Sequence, residues 1–496
     1  MIPQTNREHL VGSLLSGQSI NIFDVFAILY AYCKPRFNQI FWDLGEHQTC
    51  EIMYRSSAKI VDTILPRLEL ALAPIDTSVI VQLISEIDSA GNERLFDQRC
   101  YTVIHAIDIA YESMAARSIN VSNFAKLSQR LNLIEDFGRV YPKRPSPMLG
   151  PAEGRIRPLR TGGKVATRLR DYLQNLTCVN VPAGYDLDFG VLNSTLRMTF
   201  PADLHQCKIL SVPLVDQIAH FDIETFSLNS QGERPFRFRQ LLRSERIAEL
   251  AISALRSASE KGATVVIFPE LCVPDVIRSA IREGLRTNAF PNIKIVVAGS
   301  FHEQVGEYWY NICHVLGPDG QDLWQQRKFE PFVLMRYEAQ RMPSFAYLSD
   351  CDSREHIYTS PRVVTVRDTP LGRMAILICS DFLRSDPCRE ILFDLRVDIV
   401  LVPSLSPVLD PDFISPAKDF AVNSETITIV CNACAFAREA RQDVGGSFDL
   451  GFVFIPQYPP IRWFRCDALP GDCITRNCHN KFVFHISSWP VGFDKL

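Results

Sequence analysis

No apolar run in the chain reaches the roughly 20 residues a helix needs to cross a bilayer, so no membrane-spanning role is expected. Residues 1–8 carry no basic stretch leading into an apolar core, and no secretory signal is expected from them. A strong charge of one sign is also missing. The balance of 52 Lys and Arg against 56 Asp and Glu leaves −4 over 496 residues, which gives no global basic field for nucleic acid. A disulfide framework is lacking: the 15 cysteines are odd in number and scattered, a pattern that fits reduced thiols and a cytoplasmic protein. Leu159-Arg160-Thr161-Gly162-Gly163-Lys164-Val165 resembles a phosphate loop only faintly. It lacks the first glycine at the required spacing, and Val165 stands where a magnesium-binding hydroxyl is needed.

What remains is an ordinary globular balance, 47% apolar and 22% charged, on a chain long enough for two or three domains. Residues 1–138 read as a mainly α-helical domain. Met53, Ile60, Val61, Ile64, Leu65 and Leu68 recur at helical offsets over 47–70, interrupted by Pro66. Leu95, Tyr101, Ile104, Ile107 and Ile109 mark a second helix, and Asn120 or Ser122 caps a short third one near 120–133. His105 lies within the second helix and reads as a core histidine.

Residues 139–204 form a Pro/Gly-rich basic linker or bridging segment. Its arginines and lysines admit two readings, a solvated connector or a contact for a protein or nucleic-acid partner. From 205 to 496 strands and helices alternate, the texture of an α/β fold. Lys208–Val215 reads as a first strand, Phe238–Lys261 as a long amphipathic helix stopped at Gly262, and 264–268 as the next strand. Further strands are expected near 293–298, 310–316, 363–366, 374–378, 398–402, 426–430 and 452–455.

Three short segments carry the chemistry. Val265-Val266-Ile267-Phe268-Pro269-Glu270 ends in a carboxylate, Trp324-Gln325-Gln326-Arg327-Lys328 in an amine, and Ala375-Ile376-Leu377-Ile378-Cys379 in a thiol. Breaking a carbon–nitrogen bond at neutral pH needs a strong nucleophile, a base that later serves as acid, and positive charge where negative charge develops. Singly, each residue reads as a buried core thiol, a helix-leading carboxylate or a surface lysine. Together and in this order they supply all three roles. Cys431-Asn432-Ala433-Cys434, with Cys466, Cys473, Cys478 and His479 downstream, has partly metal-like spacing but too irregular a pattern for a zinc site. It reads as ordinary thiols, and no metal or cofactor is expected.

On these motifs the region from about 207 onward resembles the nitrilase superfamily of carbon–nitrogen hydrolases. The strand ending in Phe268-Pro269-Glu270, the turn Gly317-Pro318-Asp319-Gly320 before Arg327-Lys328, and Gly372 through Cys379 match its glutamate, lysine and cysteine motifs. Val397–Ser404, Ile429–Asn432 and Gly445-Gly446-Ser447 resemble later segments. The resemblance implies a four-layer α-β-β-α sandwich, a homo-oligomer, and a Glu-Lys-Cys triad acting through a covalent acyl-enzyme on a small-molecule amide, carbamoyl or nitrile. Glu270 would be the base, Lys328 the stabiliser and Cys379 the nucleophile. The Ser380 N–H would complete an oxyanion hole, with Ser404 also at the substrate. A second glutamate between lysine and cysteine is expected, with Glu338 the candidate and Glu330 its competitor; Glu330 reads equally as a charge partner for Arg327. Ser380 replaces the aromatic residue usual after the cysteine, which implies a remodelled pocket. Two other readings stay open: a regulatory or interaction module on the same fold, and an acyltransferase that makes amides.

Overall fold

The chain divides into two units, Met1–Pro145 with Gly150–Pro182, and Ser146–Leu149 with Ala183–Leu496. The computed structural model describes residues 7–15, 19–44, 75, 77–88, 92–117, 131–143, 160–161, 164–165, 168–201, 207–384, 387–439, 448–456, 461–466 and 483–485. The helix expected over 47–70, most of the one near 120–133, the segment 144–159, Gly445-Gly446-Ser447, and Cys473, Cys478 and His479 lie outside the described residues.

The first unit contains the helices Arg7–Leu14, Ile22–Cys33, Phe37–Leu44, Thr77–Asp88 and Glu93–Arg117. The second of these is buried along its whole length. Its start is fixed by a capping box: the Asn21 side chain accepts from the Phe23 and Asp24 N–H groups, and the Asp24 carboxylate accepts from Asn21 N–H. The first part of the expected linker belongs to this unit. Leu176–Val179 pairs antiparallel with Arg139–Pro142, Leu169 and Leu173 enter the helical core, and the Asp108 carboxylate accepts from the N–H groups of Gln174, Asn175 and Leu176.

The second unit is α/β, built on two seven-stranded sheets and a smaller four-stranded one. The first sheet runs Phe301–Val305, Tyr308–Leu316, Ile295–Val297, Val265–Ile267, Lys208–Ser211 and Val483–His485, with Asp322–Arg327 paired to Tyr308–Leu316. Its central strands are parallel and buried, which is why they read as unbroken apolar runs. The helices Ser244–Glu260 and Asp275–Arg286 share a core with it: Ile247, Ala251, Leu255, Ile277 and Ile281 join Leu210, Val266 and Val296.

The second sheet runs Ile461–Cys466, Phe448–Phe454, Ile427–Asn432, Ile399–Ser404, Gly372–Ile376, Arg362–Thr369 and Tyr185–Val191. The last strand comes from the expected linker. It pairs in parallel with Arg362–Asp368, so the second unit takes in residues N-terminal to 205. The sheets meet where the Gln326 side chain donates to Val363 O (2.9 Å) and accepts from Thr365 N (3.0 Å), and where the Cys431 thiol donates to Ile267 O (3.4 Å).

The small sheet runs Val333–Leu334, Ser353–Glu355, Arg234–Leu241 and Phe221–Thr225. It corrects one expectation. The helix expected from Phe238 begins at Ser244, because Phe238–Leu241 completes a strand in which Phe236 and Phe238 are buried while Arg239 and Gln240 are exposed. That inward phenylalanine pair has the two-residue period of a strand.

Candidate active site

Glu270, Lys328 and Cys379 each lie just past a strand, and Glu355, at the end of a strand of the small sheet, joins them at Lys328. Glu270 follows Val265–Ile267, Lys328 follows Asp322–Arg327, and Cys379 follows Gly372–Ile376. Two of the turns are strained. Leu271, directly after Glu270, has φ +56°, and Cys379 itself has φ +46° and ψ −102°. Non-glycine residues seldom hold such angles unless the surroundings impose them. At Cys379 the imposition is visible: its N–H donates to Pro403 O (3.0 Å) in the neighbouring strand, and the helix Ser380–Leu383 starts at the next residue. The Glu270 turn depends on Gly299, where any Cβ would collide with the Pro269 carbonyl.

Lys328 is fully buried, its ammonium held between two carboxylates. Nζ donates to Glu270 Oε1 and to Glu355 Oε2, both at 2.6 Å. Burial alone lowers a lysine pKa, but the two carboxylates outweigh it and hold Lys328 well above the usual ammonium range. The Asn311 carboxamide donates to Glu270 Oε1 (3.0 Å) and to Glu355 Oε1 (2.9 Å), and Asn311 O accepts from Lys328 N–H (2.8 Å). His302 Nδ1 accepts from Phe238 N–H (2.9 Å), which leaves Nε2 to carry the proton it shares with Glu355 Oε1 (2.9 Å).

The two glutamates therefore differ. Glu355 is opposed by burial, but Lys328, His302, Asn311 and Phe332 N–H all favour its anion, and its carboxyl lies well below the ordinary range. In Glu270, burial and the Glu355 charge outweigh Lys328, so its pKa is raised. One carboxylate stays charged and the other can take up and release a proton. Burial, with the Glu270 charge, pushes the Cys379 thiol up to about 12 against the pull of Lys328. The sulfur is thus a thiol until a base removes its proton. It accepts from Ser404 Oγ (3.5 Å) and lies within electrostatic reach of Glu270. Leu405 N–H, next to Ser404, donates to Glu270 Oε2 (3.2 Å).

The carboxylate that joins Glu270 at the Lys328 ammonium is that of Glu355, not that of Glu338 or Glu330. Glu338 caps its own short helix, accepting from Met335 N–H (3.0 Å). Glu330 pairs with Arg362 (3.4 Å), and the expected partner Arg327 lies over the Tyr310 ring. Ser380 turns its hydroxyl to Glu330 O, while its N–H begins a helix, where donors have no intrahelical acceptor. Asp381, also missed from sequence, accepts from Phe329 N–H (3.1 Å), Glu330 N–H (2.7 Å) and Ile378 N–H (3.4 Å), tying the lysine loop to the cysteine turn. Glu355 lies outside the matched motifs. The one available clue was an acidic residue in a short polar strand between Lys328 and Cys379.

A cavity of about 380 Å³, counting its open mouth, reaches Glu270, Lys328 and Glu355 and is otherwise lined by apolar side chains. Cys379 is 2% exposed and is not among the lining residues. Among the described residues no cluster of His, Cys, Asp and Glu is arranged for a metal ion. No helix among them is long and apolar enough to cross a membrane.

Residues 238–408 match the carbon-nitrogen hydrolase family. That segment contains Glu270, Lys328, Glu355 and Cys379. The first unit lies outside the hydrolase match. No curated protein matches the chain in sequence. Among solved structures, a variant of the amidase from Nesterenkonia sp. AN1, with the acetamide moiety of fluoroacetamide added covalently at its active-site cysteine, is similar at 16% identity and TM-score 0.35. The likeness covers 52% of this chain and 85% of that one. Saccharomyces cerevisiae Nit3, a member of branch 10 of the nitrilase superfamily, is similar at 16% identity and TM-score 0.33, covering 50% and 82%.

Proposed function

We propose that this protein is a cysteine-dependent hydrolase of a small, non-peptide amide, with Glu270 as base, Cys379 as nucleophile and Lys328 as electrostatic stabiliser. The observation that carries the reading is the buried Lys328 ammonium shared at 2.6 Å by the Glu270 and Glu355 carboxylates, with the Cys379 thiol within electrostatic reach of Glu270 and Lys328.

Glu270 takes the thiol proton as Sγ attacks the amide carbon. The developing oxyanion is met by the Lys328 ammonium and the Ser380 N–H. When the tetrahedral species collapses, the carbon–nitrogen bond breaks, and Glu270 returns the proton to the departing amine or ammonia. A thioester remains on Cys379. Water then attacks it, Glu270 accepts the water's proton, and the acid leaves as the thiol is restored. Glu355 stays ionised throughout. It offsets the Lys328 charge, so that Glu270 keeps a raised pKa and remains a usable base.

The test is turnover and intact mass. Cys379→Ala is expected to keep the fold and lose turnover, and the wild type is expected to carry an acyl adduct on Cys379 during steady state. Full activity in Cys379→Ala would overturn the reading. Amide formation outpacing hydrolysis when primary amines are added at low concentration would reassign the protein as an acyltransferase.

A further inference from the structure

The cavity that ends at Glu270, Lys328 and Glu355 has walls of one chemical kind. Phe236, Phe332, Leu334, Phe345, Leu348 and Phe436 form most of them. The three charged groups at its end are already committed to one another, Lys328 bonding to both carboxylates. Among the lining residues no further charge remains to meet a carboxylate or an ammonium on a substrate. Bringing such a group in means stripping its water without a partner, which is strongly unfavourable. A simple packing gap would not explain the arrangement, because a buried Lys–Glu–Glu cluster at the edge of an apolar space is costly to maintain as structure alone.

We propose that the acyl part of the substrate is neutral and apolar, an aliphatic or aromatic chain seated among these phenylalanines and leucines with its amide carbon directed toward Cys379. This rests on the hydrolase reading above. In the present arrangement the space holds about one water-sized sphere, so an acyl chain displaces part of the wall. The short turn Pro343–Leu348 gives Phe345 and Leu348 to that wall and leaves Tyr347 exposed. Phe345 rests on Phe436 with ring centroids 5.0 Å apart.

The experiment compares butyramide, hexanamide and 3-phenylpropanamide with succinamate and glutamine, using the full chain. Expected is a rise in kcat/KM of about fourfold for each added methylene, with 3-phenylpropanamide exceeding succinamate by at least about a hundredfold. Phe436→Ala is expected to flatten the chain-length dependence. Equal turnover of the charged amides, or no gain with chain length, would overturn the proposal and leave the cavity a packing gap only. The inactive Cys379→Ala variant gives an independent reading. Hexanamide is expected to raise its melting temperature and succinamate is not; the reverse would also overturn the proposal. If charged amides acylate Cys379 in the wild type, the substrate class fails while the hydrolase stands. If no amide leaves an adduct, the hydrolase reading itself fails, and with it the seat's assignment to a substrate.

Discussion

Two carboxylates bound to one ammonium are kept unequal by single atoms around them. Glu355 collects four donors, from Lys328, His302, Asn311 and Phe332, while Glu270 collects three, from Lys328, Asn311 and Leu405. Removing the Glu355 charge removes one of the causes that raise Glu270. Glu355→Gln is therefore expected to move the acid limb of the kcat/KM profile to lower pH and to reduce kcat/KM by about a hundredfold, since a weaker base removes the thiol proton less readily. A profile that keeps its acid limb would show that Glu355 does not act on Glu270. The strained backbone at Cys379 gives a second prediction. Glycine accepts a positive φ without penalty, so Cys379→Gly is expected to be more stable than Cys379→Ala by about 1 kcal/mol in urea denaturation, with both inactive.

Elements bring these residues together, and one of them carries a pH dependence of its own. The hairpin Tyr308–Leu316 and Asp322–Arg327 delivers Lys328, and His314 on it sits between Asp322 Oδ1 and Glu303 Oε1, each at 3.1 Å. Burial opposes the imidazolium, but the two carboxylates outweigh it and raise His314. Burial likewise opposes the Asp322 anion, while His314 and Arg282 bring its pKa down to about 2. A raised histidine gives stability that is complete below its unfolded pKa and lost as pH rises through the folded one. A lowered aspartate gives stability present above its unfolded pKa and lost as pH falls through about 2. Between pH 6 and 9 the wild type is expected to lose more stability than His314→Gln, read as the slope of urea midpoint against pH. Equal slopes would show that the pair is silent.

At the scale of the whole molecule, the strand ends bearing Glu270, Lys328 and Cys379 were legible because each lies after a strand, and two of those strands are short apolar runs buried one in each of the two large sheets. The small sheet was not. Phe236 and Phe238 alternate with arginines over too few residues before a strongly amphipathic helix, and the helix period prevailed. Glu355 went with it, since its place is set by pairing with a strand far away in sequence. Tyr185–Val191 was read as linker for the same reason: its partner lies at 362–368. This strand covers the edge of the second sheet, and an uncovered edge invites pairing with other chains. A chain of residues 183–496 is expected to be monodisperse or to form a defined oligomer, whereas one of residues 205–496 is expected to aggregate. Light scattering of the two distinguishes these outcomes, and equal behaviour would show the strand to be dispensable.

Glu355 stands directly opposite Phe236 across two paired strands, so the residue that biases the Glu270 carboxyl and a residue of the cavity wall are held in register by one strand pairing. Selectivity and acidity are then inherited as a unit. A lineage that widened the seat by shifting this pairing would retune its working pH in the same stroke, and an engineer seeking new substrates should track both properties together.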